Sequence, residues 1–87
     1  MKSDAVTQAK KSMLYILAGS IKQAERCASE NKLKPYEWRY IWDYKALYGL
    51  RNINVWLCGE YKHRNDVVEV MDQLRAIGAS YTYKDTQ

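Results

Sequence analysis

The sequence predicts a small three-layer α/β domain in which two main helices and one short helix cover a mainly parallel, four-stranded sheet. Two apolar runs, residues 13–19 and 52–59, each end in glycine, and an amphipathic helical pattern follows each of them. Unbroken apolar runs are typical of parallel strands that are buried on both faces. Because crossovers between parallel strands are right-handed, the simplest strand order is 2-1-3-4, which is half of a doubly wound, Rossmann-like fold.

The first strand-to-helix unit begins with MLYILAG (13–19), which predicts a central strand. Ser20 is a good N-cap, and the helix that follows should continue to about Asn31. Four small or apolar residues recur at helical spacing and predict the buried stripe of this helix: Ile21, Ala24, Cys27 and Ala28.

A second strand is predicted at EWRYIW (37–42), because aromatic and β-branched residues favour strands. Asp43 can then cap one short helical turn, DYKALYG (43–49), which Gly49 ends.

The second half repeats this pattern, with NINVWLCG (52–59) as the third strand and Asn65 or Asp66 as the N-cap of another helix. Its apolar stripe is predicted at Val67, Val70, Met71, Leu74 and Ile77, with Gly78 as the C-cap. The alternating SYTYK (80–84) suits an edge strand. Its short Gly-Ala connection is normal for a parallel strand, although the pattern leaves an antiparallel direction open.

A chain of 87 residues has room for a single domain, here predicted at 13–84, after a flexible polar leader (1–12) and before a short tail (85–87). There is no signal-peptide pattern and no apolar run long enough for a membrane span, so we expect a cytoplasmic protein with no membrane partner. The net charge of +4 permits contact with anionic partners.

The sequence contains no pattern for a metal or a cofactor. Cys27 and Cys58 have no CxxC spacing and only one histidine in the chain to assist them, so we expect no zinc site and interpret both as buried, reduced, apolar residues. Neither GxGxxG nor GxxxxGK[ST] occurs, so the usual elements for dinucleotide or nucleoside-triphosphate binding are missing.

The candidate binding site lies where the first and third strands end. The carboxyl ends of parallel strands meet at one edge, where two helix N-termini favour an anion. Gln23 and Glu60 fall in the same two turns, and the anion-binding or ligand-binding candidates there are Gly19, Ser20, Lys22, Gly59, Tyr61, Lys62, His63 and Arg64.

His63 is the one residue that suggests catalysis, since imidazole can act as a general base near neutral pH. Glu60 or Asp66 could orient it and Ser20 could act as a nucleophile, but no GxSxG motif is present. We therefore predict no catalytic residue and interpret His63 either as part of a binding rim or as a solvated loop residue.

The chain is rich in tyrosine and tryptophan, with eight Tyr, three Trp and no Phe. Such residues are common at contact surfaces, and basic residues alternate with them here. This pattern fits a partner-protein surface, a single-stranded nucleic-acid surface, or a strand face packed under a helix. The partner-surface candidates are Trp38, Arg39, Tyr40, Trp42, Tyr44, Tyr48 and Arg51.

Residues 13–79 resemble small, uncharacterised α/β proteins encoded by bacteriophages. The likeness is carried by the helix QAERCASENKL, by WRYI and GLRN, and by the segment NVWLCGEYKHRND with its Gly59, Tyr61, Arg64 and Asp66. It implies an accessory role in the cytoplasm of an infected bacterium, such as binding a host or defence protein. LYILAGS is also similar to the first strand of nucleoside deoxyribosyltransferase-like proteins, whose catalytic glutamate and later motifs have no counterpart here.

These observations together favour a non-catalytic binding module that engages a macromolecule, with a protein as the first choice of partner. A protein that binds or acts on nucleotides in the same crevice and a single-stranded nucleic-acid binder are the alternatives. A homodimer also fits, because small domains with tyrosine-rich edge strands can gain stability by pairing.

Overall fold

The computed structural model describes residues 14–84 and has the predicted three-layer α/β architecture. The predicted leader (1–12), the first residue of the predicted first strand (Met13) and the tail (85–87) lie outside the described residues. The strands and helices are β1 (Leu14–Leu17), α1 (Ile21–Glu30), β2 (Trp38–Tyr40), β3 (Asn54–Cys58), α2 (Val67–Ala76) and β4 (Ser80–Lys84). Short 3-10 turns occupy Pro35–Glu37, Tyr44–Leu47 and Tyr61–His63.

The four strands form one parallel sheet in the order β2-β1-β3-β4, as predicted. The register places Leu17 beside Leu57 in the two central strands and Leu57 beside Tyr83 at the edge. The direction of β4, which the sequence left open, is therefore parallel. All four strands end at the same edge of the sheet, and this edge carries the candidate site.

Helix α1 covers one face of the sheet. The Ser20 hydroxyl accepts a hydrogen bond from the Gln23 backbone N–H at 3.3 Å, which confirms the predicted N-cap. Three of the four stripe residues are buried, whereas Ile21 at the helix start is only partly covered. The core on this side consists of small side chains and two thiols, namely Ile16, Ala18, Ala24, Cys27, Ala28 and Cys58.

Helix α2 covers the opposite face and packs on a larger apolar cluster. Its members are Leu17, Ile41, Leu47, Ile53, Val55, Leu57, Tyr61, Val70, Leu74 and Ile77. Asp66 is the N-cap residue of α2, but its carboxylate makes no capping hydrogen bond. The carboxylate instead pairs with Arg64, at 2.9 Å from Nε.

Strands β1, β2 and β3 are shorter than the segments that predicted them, whereas β4 spans the predicted residues 80–84. The Ile41 N–H after β2 still donates to the Ile16 carbonyl at 3.0 Å, whereas the carbonyls of Ile41 and Trp42 accept hydrogen bonds from the Arg64 side chain. Beyond them, Asp43 Oδ1 accepts from the backbone N–H groups of Lys45 and Ala46, which confirms that Asp43 caps a short turn.

Within residues 14–84, no helix is long and apolar enough to cross a membrane. Cys27 and Cys58 are both fully buried free thiols, as the sequence predicted. They lie in the core under α1.

Candidate functional site

The two turns that the sequence singled out lie side by side. Because β1 and β3 are parallel neighbours, the turn at Gly19 and Ser20 and the turn from Gly59 to His63 leave the same edge of the sheet. This is the arrangement in which open α/β sheets hold ligands, in a crevice between two such turns.

The side chain of Gln23 fills that crevice. Its Oε1 atom accepts hydrogen bonds from the backbone N–H of Gly19 and from the backbone N–H of Glu60, both at 3.0 Å. These N–H groups belong to the two turns, so one amide oxygen joins them. A Cβ atom added at Gly19 would lie 2.7 Å from Oε1 and 3.1 Å from the Glu60 carbonyl oxygen, which shows how closely the turns approach.

Removing this amide should loosen both turns. We expect Gln23→Ala to lower the free energy of unfolding by about 1–2 kcal/mol, because two backbone donors lose their common acceptor. Gln23→Glu should stay close to the original protein at neutral pH, because a carboxylate oxygen accepts the same two bonds. Urea denaturation of the three proteins measures the difference, and equal midpoints for the alanine and glutamate variants would contradict it.

Arg64 is a second structural element at this edge. Its side chain is only 8 % exposed, and its guanidinium makes two parallel hydrogen bonds to the Asp66 carboxylate, at 2.9 and 3.1 Å. The same group donates to the carbonyls of Ile41 at 2.6 Å and Trp42 at 2.7 Å, and more distantly to that of Ala18 at 3.3 Å. Arg64 therefore ties the ends of β1 and β2 to the start of α2.

These contacts separate the eight ligand-binding candidates into residues that are engaged in the fold and residues that are open to a ligand. Gly19 and Ser20 serve the turn and the cap of α1, and the Arg64 guanidinium is engaged with protein acceptors. Lys22 is exposed on α1. The other four, Gly59, Tyr61, Lys62 and His63, line an open cleft one strand further along the sheet.

We name this depression the β3/β4 cleft. It has a volume of about 550 Å³ and lies at the carboxyl ends of the two strands. It is lined by Leu57, Gly59, Glu60, Tyr61, Lys62, His63, Tyr83 and Lys84. Four of the eight lining residues are ligand-binding candidates of the sequence analysis, which expected the facing wall of the site on β1 and α1 and not on β4.

A pair of tyrosines forms the aromatic part of the cleft. Tyr61 is 8 % exposed and belongs to the core, whereas Tyr83 is 70 % exposed. Burial raises the pKa of Tyr61, and the neighbouring Tyr83 hydroxyl raises it further through charge and a side-chain hydrogen bond. Tyr61 thus remains a neutral, fixed floor, and Tyr83 offers a ring face to solvent.

The charges of the cleft are mainly positive. Two lining residues are lysines, Lys62 on the 3-10 turn and Lys84 at the end of β4, and Glu60 is the one acidic lining residue. The His63 side chain is exposed beside Lys62. The Lys84 ammonium lies 4.5 Å from the centroid of the Trp56 ring, a cation–π contact that holds this charge at the sheet edge. The cleft can therefore attract a carboxylate or a phosphate.

His63 does not have the partners that a catalytic base needs. The Asp66 carboxylate is held by Arg64, and the Ser20 hydroxyl accepts from the α1 backbone. In the described part of the chain, no side chain is hydrogen-bonded to the His63 imidazole.

The aromatic partner-surface candidates fall into two groups. Trp38, Arg39, Tyr40 and Trp42 help to line a groove of about 530 Å³ at the β2 edge, together with Glu25 and Pro35. Trp42 is 64 % exposed and meets Tyr40 edge to face at 4.7 Å.

The remaining three candidates lie elsewhere. Tyr44 packs against the core under α2 and meets Tyr48 at 6.0 Å. Arg51 precedes β3 and therefore lies at the amino edge of the sheet, away from the cleft. The seven residues do not form one continuous surface.

Tyr83 and Lys84 of β4, together with Leu57, are the lining residues that the sequence analysis did not assign to this site. A parallel β4 beside β3 must bring its last residues to the turn after β3, so the strand order itself contained the signal. The general rule for open parallel sheets, that ligands bind where the crossovers leave in opposite directions, pointed instead to the crevice between β1 and β3.

No protein-family model, curated protein or solved structure matches the chain. Among residues 14–84, no three histidine, cysteine, aspartate or glutamate side chains come together in a group that could hold a metal ion.

Proposed function

We propose that this protein is a small, non-catalytic binding module that engages an acidic protein surface through the β3/β4 cleft. The observation that carries the proposal is the contrast between the crevice at the ends of β1 and β3 and the neighbouring β3/β4 cleft. The crevice, where such folds hold small ligands, is filled by the Gln23 side chain. The β3/β4 cleft is open and is lined by basic and aromatic residues. A wide, open depression suits a macromolecular surface better than an enclosed small molecule.

The exposed side chains supply the chemistry that protein interfaces use. Tyr83 presents a largely exposed ring beside the buried Tyr61, and tyrosine is enriched at positions that dominate binding energy. Lys62 and His63 border this ring on the turn. Positive groups at the rim of an interface steer an acidic partner and suppress basic ones.

The resemblance to bacteriophage proteins adds the kind of partner to this proposal. An accessory protein made during infection would meet host or defence proteins in the bacterial cytoplasm. The net charge of +4 favours an acidic one among them.

The test compares two double variants in capture from a bacterial lysate, with quantitative mass spectrometry as the readout. Lys62→Glu with Tyr83→Ser alters the cleft. Arg51→Glu with Tyr48→Ser makes the same changes in charge and aromatic area at exposed positions that do not line it. For a partner that binds through the cleft, the captured amount should fall at least about tenfold with the first double variant and should stay unchanged with the second.

The outcome depends on which variant loses the partner and on what the partner is. Equal retention by both variants, or loss in the control alone, would refute the cleft as the binding surface. If nuclease treatment of the lysate abolishes capture, and affinity falls steeply between about 50 and about 200 mM salt, the partner is a nucleic acid and the protein-binding proposal fails.

Nucleotide binding in the same cleft is a second candidate, favoured by one observation. The exposed Tyr83 ring could stack on a base while Lys62 and His63 bind its phosphate. A nucleotide present at about 100 times its Kd should stabilise the fold by about 2.7 kcal/mol. A thermal-shift panel of nucleotides and cyclic nucleotides measures this, and the Tyr83→Ser variant should lose any shift.

A further inference from the structure

Two thiols from distant parts of the chain face each other in the core under α1. Cys27 lies in the middle of α1 and Cys58 is the last residue of β3, 31 positions further on. Both are fully buried, and their Sγ atoms are 2.7 Å apart.

The packing around the two thiols explains this approach. The neighbouring core residues on this face include Ala18, Ala24 and Ala28, so the helix backbone lies close to the sheet. A disulfide bond is about 2.05 Å long, so the two Sγ atoms need to move together by only about 0.7 Å. The fold therefore already presents the two side chains to each other.

We propose that Cys27 and Cys58 form an internal disulfide that links α1 to β3 when the protein meets a low-molecular-weight disulfide such as oxidised glutathione. In the first step, one cysteine loses its proton and its thiolate attacks a sulfur of the oxidant, releasing one glutathione thiolate. The other cysteine, also deprotonated, then attacks the mixed disulfide and releases the second. The protein loses two protons and two electrons, and one glutathione disulfide becomes two glutathione thiols.

Burial determines when this exchange takes place. Desolvation, together with the neighbouring Cys27, raises the pKa of Cys58, so the closed fold holds very little thiolate. The exchange therefore occurs while α1 is open, during folding or local unfolding, and closure of α1 then traps the bond.

The test measures the equilibrium between dithiol and disulfide in glutathione buffers, once under native conditions and once in concentrated guanidinium. Acid quenching, alkylation and mass spectrometry give the fraction of each form. From the chain entropy of a loop of this length, the ratio of disulfide to dithiol should be about 500-fold higher in the native buffer. A ratio that is equal or lower in the native buffer would overturn the proposal.

A second measurement compares thermal stability. The disulfide is formed in denaturant and the chain is then refolded. This oxidised chain should melt at least about 10 °C above the reduced chain. The double variant Cys27→Ala with Cys58→Ala serves as the control, because it has no thiol left and its melting temperature should not respond to the same oxidation. An oxidised chain that does not regain its far-ultraviolet circular dichroism, or that melts below the reduced chain, would count against the disulfide.

Discussion

Arg64→Ala is expected to lower the free energy of unfolding by about 3–5 kcal/mol, because its side chain is only 8 % exposed and holds an ion pair at the edge of the sheet. The substitution leaves the carbonyls of Ile41 and Trp42 without their donor and the Asp66 carboxylate without its counter-ion. Chemical denaturation followed by circular dichroism measures the loss. For a domain of this size, much of the total stability depends on this one side chain.

Arg64→Lys separates the geometry of this side chain from its charge, and Arg75→Ala is a control at an exposed ion pair. Arg64→Lys keeps the charge but lacks the planar fork that reaches several acceptors, so we expect it to recover less than half of the loss. Arg75→Ala breaks an ion pair with Asp72 whose side chains are 75 % and 65 % exposed, and it should cost less than about 0.5 kcal/mol. Similar losses for the two alanine variants would show that Arg64 is an ordinary surface residue.

Gly59→Ala is the second substitution with a large expected effect, about 2–4 kcal/mol of unfolding free energy. Part of the loss comes from the left-handed backbone, since φ is +56° and a side chain there costs about 1–2 kcal/mol. The rest comes from overlap of the new methyl group with the Gln23 amide, whose Cδ atom would lie 2.9 Å away. The same denaturation measurement applies.

Gly49 is a matched control for this glycine. Its φ of +82° imposes the same backbone penalty, but an added Cβ would have no atom within 4 Å. Gly49→Ala should therefore cost only about 1–2 kcal/mol. In a Gln23→Ala background, Gly59→Ala should fall to the Gly49→Ala value, and strict additivity of the two changes would show that the overlap is unimportant.

The architecture could be predicted because it depends on patterns that lie within short segments. The two glycine-closed apolar runs predicted the central strands, and the handedness of crossovers then reduced the possible strand orders to 2-1-3-4. Ser20 and Asp43 were recognisable as caps because capping needs only a short polar side chain and backbone N–H groups two or three residues later.

The contacts at the carboxyl edge of the sheet could not be predicted, because two long polar side chains there bond to groups that no local pattern reveals. Gln23 had the spacing of a solvent-facing helical residue, yet it reaches back to Gly19 and across to Glu60, 37 positions away. Arg64 had the sequence context of an anion ligand, a basic residue in a turn after a strand. Its actual acceptors are carbonyls at the ends of β1 and β2, which only the folded sheet brings together.

The bridge made by Gln23 also bears on how this domain depends on its surroundings. A doubly wound domain that binds a nucleotide at this position is stabilised by that binding, so its melting temperature depends on the nucleotide concentration. Here an amide oxygen of the chain itself occupies that role at a fixed, intramolecular concentration. The two central turns are thus joined by the chain itself, and their connection does not vary with the concentration of any other molecule.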